Sequence, residues 1–145
     1  MKRFQFPLER VRRWRSEQAS VEELKLQQLR AEAARLAVAK NEIQTEAAQS
    51  ARQVLAQPCI DALELTSLEA YRQHLGRRIY ELENLERQCE AKVVEQRRRV
   101  LEARRQFELL DRLHDRAWRE WVAEGNKEQE QLAAELFLAK AVRER

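Results

Sequence analysis

The sequence predicts an all-α protein in which two long helices form an antiparallel coiled-coil hairpin with a C-terminal helical overhang. Three observations carry this. Charged residues make up 37% of the 145, and Gly and Pro number two each in a background of Ala, Glu, Leu, Arg and Gln, the composition of long helices. The apolar residues, 43% of the chain, recur at helical spacing instead of being scattered, which argues against disorder. Lastly, the strongest break signal, around Pro58, falls between two long periodic stretches.

The elements follow in order. Pro7 suits a first helical turn, where its missing amide proton would be unpaired anyway, and neither Gly nor Pro occurs between it and Pro58. A first helix is therefore expected over about 7–56, roughly 75 Å at 1.5 Å per residue and too long to stand without a partner. In its second half Leu29, Ala33, Leu36, Lys40, Ile43, Ala47, Ser50 and Val54 step alternately by four and three, a heptad seam that is small and partly polar. The segment 57–66 reads as a linker carrying Pro58 and Asp61, and Thr66 with Glu69 forms a capping box. A second helix is expected from about 67 to 124. Its seam runs through Leu75, Ile79, Leu82, Glu86, Cys89, Val93, Gln96, Val100, Ala103, Phe107, Leu110, His114, Ala117 and Trp121. Eleven of these 14 positions are apolar, where chance would supply about six. Gly125 and Asn126 are expected to stop or kink this helix, with a helical extension over 127–143.

A linker of about ten residues makes the two helices antiparallel neighbours, pairing residue i with about residue 123 − i. Phe4, Phe6 and Trp14 then fall beside Phe107, Trp118 and Trp121 at the open end, and everything past Val122 overhangs. The plainest role for these aromatics is to clamp an end that would otherwise fray.

The net charge of +3, from 28 basic and 25 acidic residues, implies no nucleic acid by itself. Its distribution is uneven: residues 1–15 carry +5, leaving −2 for the rest. The runs Arg97-Arg98-Arg99 and Arg104-Arg105 are interspersed with Glu95, Glu102 and Glu108 and read as a solvated, ion-paired face. The basic N-terminal segment has fewer compensating acids, and both a functional and a solvated reading stay open there. No apolar run approaches the roughly 20 residues of a membrane span, and the start lacks the apolar stretch of a secretory signal, so a cytoplasmic location is expected. Cys59 and Cys89 do not make a disulfide framework.

Chemistry finds little to stand on. Two glycines 49 residues apart build neither a phosphate loop nor a nucleophile elbow. His74 and His114, on one helix, would lie about 60 Å apart and cannot share a metal, and His114 reads as a partly buried seam spacer. Glu83 and Glu86 are expected to be ion-pair partners beside Arg87. The expectation is no catalytic activity, no cofactor and no metal.

The opening Phe4-Gln5-Phe6-Pro7-Leu8-Glu9-Arg10-Val11, followed by Arg13 and Arg15, resembles the start of the FliJ family, small soluble proteins of the bacterial flagellar type III export apparatus. The likeness extends over nearly the whole chain: a first helix of this length, a short linker, a second helix with Tyr71, Leu75 and Ile79, and Trp118 or Trp121 before a Glu-rich end. Where the family often has Leu-Asp-Glu near its end, this chain has Leu132-Ala133-Ala134-Glu135. The resemblance implies a stalk that enters the hexameric flagellar export ATPase, links it to the cytoplasmic domain of the membrane export gate and handles export chaperones. It would sit at the cytoplasmic face of the apparatus, peripheral to the membrane only through these partners, and serve flagellum biogenesis and motility. Ring contact is then expected from Arg10, Arg12, Arg13, Arg15, Phe4 and Phe6, and gate contact from Tyr71 and Leu75. The alternatives are the stalk of a virulence type III secretion ATPase and, from another class, a basic nucleic-acid-binding coiled coil. Salt dependence of binding separates the latter.

Overall fold

The computed structural model describes residues 3–144, which contain two α-helices and no strand: α1, Glu9–Leu55, and α2, Ala62–Arg143. The chain divides into two compact units, each built from a stretch of both helices: Val21–Val100, and Met1–Ser20 with Leu101–Arg145.

Pro7 and Leu8 form a turn just ahead of α1. Helical pairing begins with Arg12 N donating to Leu8 O at 2.9 Å. The helix ends as Gln57 N turns back to Val54 O at 3.3 Å. The second helix starts a turn earlier than its expected residue 67, because the N-terminal box is Asp61 with Glu64 and not Thr66 with Glu69. Asp61 N donates to Glu64 Oε2 at 3.5 Å, and Asp61 O accepts the first helical bond, from Leu65 N. Thr66 lies inside the helix, where its hydroxyl donates to Ala62 O. Both boxes have the right spacing, and the earlier one leaves fewer backbone groups unpaired.

The expected break at Gly125–Asn126 is absent, and α2 runs through both residues. One glycine costs about 1 kcal/mol relative to alanine in a helix interior, too little to stop a helix followed by Glu, Gln, Leu, Ala and Lys. Gly125 is itself buried.

Within Val21–Val100, Glu22 meets Gln96, Leu29 meets Cys89, Lys40 meets Glu86 and Glu46 meets Tyr71, so partner numbers fall as those of α1 rise. The helices there are antiparallel. In the other unit Arg12 meets Asp111, in the same sense and in the expected register. All 14 expected seam positions of α2 and all eight of α1 are buried or half-buried. The α1 seam also extends upstream, through Arg12, Arg15, Ala19, Glu22 and Leu26, in unbroken steps of three and four.

The core is narrow. Its buried side chains are Leu26, Leu75, Leu82, Cys89, Gln96 and Val100, all within Val21–Val100, and each buried leucine contributes about 1.5–3 kcal/mol. Polar layers interrupt it. Gln96, 6% exposed, donates through its amide to Glu22 O at 2.9 Å and Glu22 Oε2 at 2.5 Å, holding the Glu22 carboxyl below the usual carboxylate range; Lys25 adds to the effect. Lys40 Nζ lies 2.6 Å from Glu86 Oε2, which raises the Lys40 ammonium's pKa. Such layers cost stability relative to leucine, but they admit few alternative registers.

Cys89 is buried with its thiol donating to Leu29 O at 3.5 Å, while Cys59 is exposed in the linker; both are free. Among the described residues no helix is long and apolar enough to cross a membrane.

Candidate functional site

The basic, aromatic end of the sequence assembles in the unit that joins Met1–Ser20 to Leu101–Arg145. Ahead of α1 the chain runs along α2, so Phe4 and Phe6 reach the side chains that α2 presents near 114–121. Phe4 packs edge-on against His114, with centroids 5.5 Å apart, and against Trp118 at 5.0 Å, and lies tilted on Trp121 at 5.8 Å. Phe6 meets His114 at 5.3 Å, again edge-on, and Trp118 stacks on Trp121. These edge-to-face pairs add about 0.5–1.5 kcal/mol each beyond the area they bury. Phe4 and Phe6, expected to touch a ring, are half-buried here and clamp the helices.

The four arginines expected to face the same partner separate into two pairs. Arg12 and Arg15 occupy the upstream α1 seam. Arg12 directs Nε and Nη2 at Asp111 Oδ1, at 2.9 and 2.7 Å, and also reaches Glu9, contacts that hold its guanidinium more firmly protonated. Arg15 donates to the Gln106 side-chain carbonyl and lies over the Trp14 ring, 4.7 Å from its centroid. Their stems are partly buried, and both heads have partners within the molecule. Arg10 and Arg13 are exposed. Arg13 pairs with Glu9 at 3.3 Å but remains 76% exposed, and with Arg3 and Arg10 it rims a hollow floored by Phe4, Phe6 and His114. The arrangement is a cationic rim around an aromatic patch, suited to carboxylates and apolar groups of a protein partner. Sequence reasoning did not single out Arg3 for this rim, although its basic character was plain.

The two residues expected at the gate also differ. Leu75, only 6% exposed, is a core residue and offers no surface. Tyr71 is half-buried, and its phenol donates to the Glu46 carboxylate, which raises its pKa. Around them, the last residue of α1 and the first turn of α2 expose Leu55, Leu63 and Leu65.

The Arg97–Arg105 stretch is largely a solvated face: Arg99 pairs with Glu95 at 3.6 Å, and Arg97, Arg98, Arg104 and Arg105 are exposed. His114, half-buried, places Nδ1 3.4 Å from Asp115 Oδ1. Among the described residues no group of three or more His, Cys, Asp or Glu side chains could hold a metal ion. A last feature had no place in the sequence reading: the final stretch of α2 exposes Leu132, Leu136, Phe137, Leu138 and Val142. Comparison of the chain with protein-family models, with curated proteins and with solved structures returned no match.

Proposed function

We propose that this chain works by contacting other proteins, as the coiled-coil stalk of a hexameric flagellar export ATPase that links the ring to the membrane export gate and handles export chaperones. The observation that carries the reading is the cationic rim of Arg3, Arg10 and Arg13 around the Phe4, Phe6 and His114 floor. It is supported by the FliJ-like opening Phe4-Gln5-Phe6-Pro7-Leu8 and by a fold of two long helices. In this reading the rim meets an acidic lumen of the ring, speeding and orienting docking more than it raises affinity. In this reading the protein works at the cytoplasmic face of the export apparatus.

The residue assignment is narrower than the resemblance implies. Arg10 and Arg13 are the ring-facing groups, with Arg3; Arg12 and Arg15 support the helix pair beneath them. At the gate-facing end Tyr71 remains a candidate with the exposed Leu63 and Leu65, and Leu75 serves packing. The test is stimulation of ATP hydrolysis by a purified export ATPase, measured across salt concentrations. Replacing Arg3, Arg10 and Arg13 together by Glu should change the melt little, since all three are exposed and the Arg13–Glu9 pair is a surface ion pair contributing about 0.2–1 kcal/mol, and should abolish most of the stimulation at low salt. Stimulation equal to the parent's would make the rim a solvated surface and sink the reading.

A further inference from the structure

The last turns of α2 are apolar on every side yet uncovered. Between Leu132 and Val142 only Glu135 and Lys140 are charged, and Leu136, Phe137 and Leu138 are successive, so at about 100° per residue they point in three directions. A helix apolar all round belongs in a buried setting. Here Leu132, Leu136, Phe137, Leu138 and Val142 are 59–74% exposed, a run of large side chains that marks an interaction surface.

The charges flanking this stretch identify its occupant. The residues before it hold Glu124, Glu128 and Glu130 against Lys127, a net −2, while its own last turn together with the residues that follow, 140–145, holds Lys140, Arg143 and Arg145 against Glu144, a net +2. One end is the complement of the other. Two copies laid antiparallel would set each acidic end against the partner's basic end and oppose the two helix dipoles, while a parallel pair would set like against like at both ends. A surface complementary to itself under a two-fold rotation is the signature of an isologous dimer.

We infer that the segment from about Glu124 to Arg143 is a self-association surface, on which a second copy of this chain docks antiparallel through Leu132, Leu136, Phe137, Leu138 and Val142. Leu132, Leu136 and Ala139, spaced by four and three, supply a heptad stripe for the contact, and Lys140 approaches Glu128 or Glu130 of the other copy. The inference does not depend on the stalk reading.

Sedimentation velocity of the full chain over a concentration series tests it. The expected result is a concentration-dependent rise from the 17.3 kDa chain mass to twice that value. Leu136→Glu with Phe137→Glu, both exposed and so without a folding role, should keep the helical circular dichroism of the parent and sediment as monomer throughout. Mixed 14N and 15N chains treated with a zero-length carboxyl-to-amine coupling reagent should give hybrid cross-links from Lys140 to Glu128 or Glu130. A parent that stays monomeric at every concentration, including one that instead binds anionic lipid vesicles, overturns the inference. So does a dimer that survives the double substitution, or one whose only hybrid cross-link at Lys140 runs to Glu135, as a parallel pair would give.

Discussion

The two units hold the same pair of helices together by different means. In Val21–Val100 the contact is a narrow row of buried side chains, Leu26, Leu75, Leu82, Cys89 and Val100, with Gln96 sealed among them. In the unit of Met1–Ser20 and Leu101–Arg145 the side chains between the helices are at most half-buried: aromatic edges at Phe4, Phe6, His114, Trp118 and Trp121, and charged pairs such as Arg12 with Asp111. Aliphatic burial is not weakened by charge screening or by titration, whereas charged pairs are, and half-exposed rings remain in contact with solvent. One unit holds the buried core, and the other keeps its aromatic and charged groups partly exposed.

The largest expected effect tests the first half of that contrast. Leu82→Ala should lower unfolding free energy by about 2–5 kcal/mol, toward the lower end because so thin a core can partly collapse into the space. Urea unfolding followed by far-ultraviolet circular dichroism measures this. Phe4→Ala should cost less, about 1–2 kcal/mol for a half-buried ring, and should act locally, shifting the emission of Trp118 and Trp121 to longer wavelength at denaturant concentrations where helicity is intact. Equal losses from the two substitutions would erase the distinction between the units.

Next comes pH. The Glu22 carboxyl is held below its ordinary value, so its contribution is present above the unfolded carboxylate range and is lost as pH falls through the lower folded value. Lys40 and Tyr71 are shifted upward by Glu86 and Glu46, so theirs is present below the ordinary values of 10.5 and 10.0 and is lost as pH rises through the raised ones. All three lie in Val21–Val100, so even the aliphatic unit should soften at both extremes. Gln96→Leu should leave stability at pH 7 near the parent's or above it, and should shrink the loss of urea midpoint between pH 7 and pH 3. An undiminished acid loss would show that Glu22 and Gln96 are not coupled. The smallest effect belongs to Asp111→Asn, roughly 0.2–1 kcal/mol at low salt, vanishing in high salt. A larger, salt-independent cost would place the Arg12 pair with the core and not with the open unit.

Structure and expectation part where hydrophobicity and spacing point to different answers. The upstream seam of α1 is invisible to a hydrophobic pattern because Arg12, Arg15 and Glu22 are charged, though their three-four spacing into Leu26 and Leu29 is regular. For Arg12 and Arg15, which the resemblance assigns to a ring contact, the structure shows long, partly buried stems and heads paired with Asp111 and Gln106. Gly125 was weighted as a local break although long, strongly helix-forming flanks outweigh a single glycine. Thr66 with Glu69 has the spacing of a capping box, but so has Asp61 with Glu64, and the folded chain uses the latter.

What the sequence determined by itself is the helical class, the linker, the heptad seams and the antiparallel register, because each depends on periodicity and short-range chain geometry that survive in a linear string. The tertiary structure alone decided which charged groups are spent inside the molecule and which remain available. Arg10, Arg12, Arg13 and Arg15 are the same residue type within six positions, and their roles diverge only because a seam residue's angle around α1 aims it at α2, where Asp111 or Gln106 happens to stand. The antiparallel register already sets residue 12 opposite residue 111, but whether the Arg12 side chain is aimed at Asp111 or outward depends on its angle around α1, which the register does not fix.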